Sequence, residues 1–222
     1  MKPLTTAARV ALVAVTIYAA FLLLLALSMP PEVFKPLFAE NGPFERMSIL
    51  LWATLGALML LLEWRSPQAR WLGILALVFA GREADLHHAY TVMSLTKIKF
   101  YLSPAVPLMQ KLVGGLVLVL AVALIVYAAR LFYRFFINGG LRTPLGQVLL
   151  MPVLLLPASK IVDRFSSQLY ELFGIRLPAT TGQIVAAFEE GMEMAMPALF
   201  IIALVLARAV QREAKAALQQ LS

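Results

Sequence analysis

The sequence predicts an all-α, polytopic membrane bundle of about six transmembrane helices, folded as one domain over residues 1–222, with both termini cytoplasmic. Three observations carry this. Of 222 residues, 61% are hydrophobic and only 14% charged, with a mean hydropathy of +0.84, too apolar for a soluble domain and too short for several domains. The apolar residues come in runs long enough to cross a bilayer, divided by Pro-, Gly- and Asn-rich turns. The basic residues beside successive runs fall on alternating sides, as the positive-inside bias requires.

Each element follows from these signals. Lys2 and Arg9 precede an apolar run from about Val10 to Leu27, longer than a signal-peptide core and expected to stay as an uncleaved first span. Pro30, Pro31 and Pro36 then break the helix into a loop. Asn41-Gly42-Pro43 is a turn leading into a second span, about Glu45 to Trp64. Ser66-Pro67 marks the next turn, and a third span is expected from about Trp71 to Tyr90. Thr91 to Pro107 is amphipathic and suited to the interface. A fourth span, about Leu112 to Phe132, ends at an Asn138-Gly139-Gly140 turn, and a fifth, about Gly146 to Val162, contains Pro152 and Pro157 and is expected to be kinked or broken. Thr180, Thr181 and Gly182 are expected caps for a sixth span, about Thr181 to Ala207.

Lys2, Arg9, Arg65, Arg70, Arg130, Arg134, Arg142, Arg208, Arg212 and Lys215 share one side with only Glu63 and Glu213, and that side is predicted to be cytoplasmic. The formal charge of +7 is explained by this topology; no basic face interleaved with aromatics is present to read bases, so nucleic acid is not an expected partner. The absence of cysteine excludes disulfides, thiolate metal sites and a cysteine nucleophile.

The most informative stretch is Gly81-Arg-Glu-Ala-Asp-Leu-His-His88, which holds the chain's two histidines. Charge within a membrane costs roughly 2.5 kcal/mol or more per residue, so such groups are partnered, solvated or working. On a helix, Glu83 and His87 would be i, i+4 neighbours, and Asp85 and His88 i, i+3 neighbours. The topology puts Lys160 and Asp163 at the outer end of the fifth span and Glu189, Glu190 and Glu193 within the sixth. Glu190 and Glu83 come out at similar depth, roughly 12 Å below the outer ends of their helices at ~1.5 Å per residue. One convergent outer site is therefore expected.

Histidine and carboxylates spread over several helices suit a divalent metal, zinc first, with iron or manganese as alternatives. His87, His88, Asp85, Asp163 and Glu190 are the expected ligands; Glu83, Glu190 and Glu193, with Arg82, are the expected catalytic groups. Lys97, Lys99, Lys111, Lys160 and Arg164 are placed to bind a substrate phosphate headgroup; the plainer reading of the three interfacial lysines is membrane anchoring. Two rival readings use the same charges: an ion-pair network that fixes helix register, and a proton or cation pathway in which Glu83, Asp85, Glu190 and Glu193 carry the ion past the proline-containing fifth span.

Glu40-Asn-Gly-Pro-Phe-Glu45, the acidic third span, and Phe188-Glu-Glu-Gly-Met-Glu193 resemble segments of uncharacterised bacterial multi-pass inner-membrane proteins, an E-x-G-P-x-E segment and an E-E-x-x-E last span. The resemblance implies a bacterial inner membrane and carries no activity with it. Glu189-Glu190 is superficially similar to the start of the CPBP intramembrane protease motif, but Met194 stands where that motif has arginine. Together these readings predict a metal-dependent membrane enzyme, a hydrolase or acyl-group enzyme, acting on a lipid or lipid-linked substrate from the periplasmic or exterior side. The alternatives are an ion-coupled transporter or channel and a non-catalytic assembly partner. A homo-oligomer is left open.

Overall fold

The computed structural model describes residues 4–86, 95 and 97–220. All regular structure among these residues is helical: α1 Thr6–Ser28, α2 Pro31–Leu37, α3 Pro43–Leu62, α4 Pro67–Glu83, α5 Ile98–Leu102, α6 Leu108–Ile137, a 3-10 turn Gly140–Arg142, α7 Pro144–Phe173 and α8 Ala179–Gln219. Five of them, α1, α3, α6, α7 and α8, are long and apolar enough to cross a membrane. The chain is a multi-pass α-helical membrane protein.

The helix starts obey local chemistry. Thr5, Ser66 and Thr143 cap α1, α4 and α7 by accepting from the N–H groups of Ala8, Ala69 and Gly146, and Pro67 and Pro144 follow at positions where a missing N–H costs nothing. Asn41 donates its backbone N–H to the Glu45 carboxylate ahead of α3.

Several expected boundaries move. The segment after α1 is a short helix, because Pro31 occupies its first turn and Phe34 is buried in the core, with Phe34 stacked on Phe38 and Phe38 on Phe44. The fifth span is one continuous helix through both Pro152 and Pro157 and runs on to Phe173. No Gly or Pro interrupts it after Pro157 until Gly174, whose left-handed φ of 65° ends it. Lys160, Asp163, Arg164 and Glu171 are therefore helical. The last span begins at Ala179 behind Pro178, with no threonine cap, and continues to Gln219 because the residues after Ala207 are strong helix formers.

The expected third span also ends sooner. It is the 17-residue α4, which stops at Glu83; Ala84 caps it and Asp85 turns to a positive φ of 46°. His87 and His88 lie outside the described residues. The spacings expected to join Glu83 to His87, and Asp85 to His88, therefore also fall on residues outside the described ones.

The chain divides into two units, residues 1–48 with 136–222, and residues 49–135. In the first, α1, α7 and α8 pack together. Near the start of α1, Ala8 and Ala11 meet Val148 of α7 and Ala203 of α8 in a small-residue layer, and Gln147 accepts from both the backbone N–H and the hydroxyl of Thr5, at 2.8 and 2.9 Å. Near the end of α1, Leu22 and Ala26 meet Phe34, Phe38 and Ala187. Hence α1 and α7 run in parallel and α8 runs against both. Small residues let these backbones approach closely, which is how helices associate where lipid offers no hydrophobic contrast. In the second unit, α3 and α4 cross at Gly56 and Gly73, Trp52 packs on Phe79, and Phe100 of α5 is buried against Gly114 of α6.

Candidate functional site: a charged centre between α7 and α8

The i, i+3 spacing of Lys160 and Asp163 puts both on one face of α7, and the i, i+4 spacing of Glu189 and Glu193 puts both on one face of α8. The antiparallel packing of the two helices brings those faces together. Lys160 Nζ donates to Glu193 Oε1 at 2.6 Å and lies 3.7 Å from Asp163 Oδ2. Glu189 stands close enough to Asp163, Glu193 and Lys160 for their charges to act on its carboxyl group. Glu193 is only 8% exposed, whereas the Lys160 side chain is 45% exposed. The centre thus has a buried acidic floor and an accessible ammonium rim.

The α8 backbone is unusual beneath this centre. Pro197 has no N–H to offer the carbonyl of Glu193 four residues earlier. That carbonyl instead accepts from the Ser48 hydroxyl at 3.2 Å, and the Gly191 carbonyl accepts from the Tyr18 hydroxyl, also at 3.2 Å. Gly191 is required here by space: a Cβ on it would stand 2.2 Å from Leu22 Cδ1.

Of the other residues expected at the site, Glu190 and Arg164 belong to α8 and α7, and the rest of the described ones belong to the second unit. Glu190 is half-buried and lies about 100° round α8 from Glu189 and about 60° from Glu193. Glu83 belongs to the second unit, where Arg82 Nη1 meets its Oε1 at 2.7 Å at the carboxyl end of α4, a position that favours a cation. Asp85 follows the end of that helix and is exposed. Lys97 and Lys99 are exposed at α5, Lys111 is half-buried at the start of α6, and Arg164 is exposed one turn beyond Lys160. Among the described residues, no three His, Asp or Glu side chains form a group that could hold a metal ion. Within the α7–α8 centre, the place a cation would take beside Asp163 and Glu193 is filled by the Lys160 ammonium.

Sequence reasoning singled out Glu193, Lys160 and Asp163, and named Glu189 beside Glu190 in the last span without giving Glu189 a role. The signal was present in the 160/163 and 189/193 spacings. Ser48 left no signal that could be read without the packing. No protein-family model matches the chain, and no curated protein or solved structure was found to match it.

Proposed function

We propose that this chain is a membrane enzyme acting on a lipid or lipid-linked substrate from one leaflet, with the Lys160–Glu193 pair and its neighbours Asp163 and Glu189 as the acid–base centre. The observation that carries the reading is the 2.6 Å contact between a half-exposed lysine and a buried glutamate, hemmed by two further carboxyls. Such a set holds a proton acceptor and a proton donor side by side.

Depth supports a lipid substrate. Glu193 is 15 residues from Arg208 along α8, and Lys160 is 16 from Pro144, where α7 starts just after Arg142, which at ~1.5 Å per residue is roughly 22–24 Å. If those arginines mark one interface of a ~30 Å core, the centre lies a few ångströms inside the other. A headgroup reaches that depth without crossing the bilayer, and exposed Arg164 is placed to meet its phosphate. The same unit argues against a through-path: α8 from Met194 to Ala207 and α7 from Pro144 to Ser159 carry no Asp, Glu, Lys, Arg or His.

The first residues of α1 and the later part of α8 share one end of this unit, with Arg9, Arg142 and Arg208, while Glu32, Asp163 and Glu189 belong to the other half. That distribution supports cytoplasmic termini and a centre facing the periplasm or exterior of a bacterial inner membrane. Divalent-metal dependence, through His87 and His88, is kept as a separate arm of the test.

Protein in nanodiscs of phosphatidylethanolamine and phosphatidylglycerol, supplemented with a bacterial polar lipid extract, is followed by mass spectrometry, and metal content is measured on the same sample. Turnover of a lipid that Glu193→Gln and Lys160→Met abolish supports the reading; loss of metal and turnover together in His87→Ala supports its metal-dependent form. Absence of turnover in any lipid, alongside proton or cation flux in proteoliposomes that Glu193→Gln removes, would replace it with the pathway reading.

A further inference from the structure

The hydrogen bond from Ser48 is out of place for a helical serine. A serine inside a helix ordinarily turns its hydroxyl back onto its own helix or out to water. Ser48 is 1% exposed, and it donates across to the one α8 carbonyl that Pro197 leaves without its usual partner. That carbonyl belongs to Glu193, whose carboxylate meets Lys160. Two residues earlier, Tyr18 holds the carbonyl of Gly191. The segment 191–193 is thus anchored by hydroxyls from α1 and the start of α3, where an uninterrupted helix would rely on its own N–H groups.

We propose that Ser48 is a positioning residue for the charged centre: its hydroxyl stands in for the peptide N–H that Pro197 removes and so fixes the Glu193 carboxyl against Lys160. Pro197 would otherwise leave α8 weakest one turn from the residue that most needs a fixed rotamer. Serine supplies the missing donor without restoring the rigidity of a continuous helix, so the Glu193 backbone can be released when this one bond breaks. Glycine at 191 and proline at 197 then have complementary roles, the first admitting Leu22 and the second freeing a carbonyl for control from outside the helix. The inference rests on the reading that Lys160 and Glu193 are the working pair, but its test needs no substrate.

The test is the reactivity of Lys160 toward an acetylating ester, measured by peptide mass spectrometry as a ratio to exposed Lys35 and Lys215 in the same detergent-purified molecule, well below its melting temperature. Ser48→Ala is expected to raise Lys160 acetylation roughly three- to tenfold, the factor that one net hydrogen bond carries. Ser48→Thr keeps the wild-type ratio, and Pro197→Ala added to Ser48→Ala returns it toward wild type by restoring the amide donor. Should Ser48→Ala fail to fold, Ser48→Cys takes its place, a weaker donor of similar size, and the same direction is required. A lower melting temperature in the serine variant with an unchanged Lys160 ratio would make Ser48 a purely structural contact and overturn the proposal. Failure of wild-type protein to turn over lipid would sink the enzyme reading while leaving this ratio intact, so the two failures are distinguishable.

Discussion

Removing Lys160 tests the energetic logic of the centre. Glu193 is buried, and its hydrogen-bonded cation is Lys160; Lys160→Met keeps the length and apolar stem of the side chain but leaves three carboxyls facing one another. Stranding one member of a fully buried pair costs about 3–5 kcal/mol. Because Lys160 is 45% exposed, water screens part of the loss, and a cost of about 2–3 kcal/mol is expected. Glu193→Gln is milder, about 1 kcal/mol, because the amide oxygen still accepts from the ammonium, which also lies 3.7 Å from Asp163. For a chain of this length each kcal/mol moves the melting temperature by roughly 2–4 °C, so thermal unfolding in detergent should show a drop of roughly 4–12 °C for Lys160→Met and 2–4 °C for Glu193→Gln. The double variant should be more stable than Lys160→Met alone, since no uncompensated carboxylate remains at position 193. Equal losses from the two single changes, or a double variant that merely sums them, would refute this account.

Gly191→Ala should destabilise the first unit by about 1–3 kcal/mol in thermal melts, because its new Cβ would meet Leu22 at 2.2 Å, and adding Leu22→Ala should recover part of the loss. Gly56→Val should be worse tolerated than Gly115→Val, read as the yield of monodisperse protein: a Cβ at Gly56 stands 2.9 Å from the Gly73 carbonyl oxygen, whereas one at Gly115 finds its nearest neighbour at 3.7 Å. A single cysteine at Ser66 should react with membrane-impermeant maleimide only from the cytoplasmic side and one at Ser103 only from outside; the opposite pattern would overturn the proposed orientation.

The sequence by itself determined that this is a multi-pass helical membrane protein, because apolar runs separated by Pro, Gly and Asn turns depend only on local composition and the thickness of a bilayer. It also marked Lys160, Asp163 and Glu193 as costly charges in apolar surroundings. Helix ends were less legible: α4 stops at Glu83 and α7 runs on past Val162, since hydropathy registers the middle of a span and says little about where the backbone leaves helical geometry. Which carboxylate faces which cation was decided only by tertiary structure. Glu189 and Glu190 are adjacent and equally acidic in sequence, yet antiparallel packing of α7 against α8 at the Ala203–Val148 layer sets the rotation that turns Glu189 and Glu193, about 40° apart on the wheel, toward Lys160. Ser48 belongs wholly to that second category. Its hydroxyl acquires a role because packing brings it within 3.2 Å of a carbonyl that a proline 149 residues away leaves unpaired, a coincidence of two segments that no local pattern encodes.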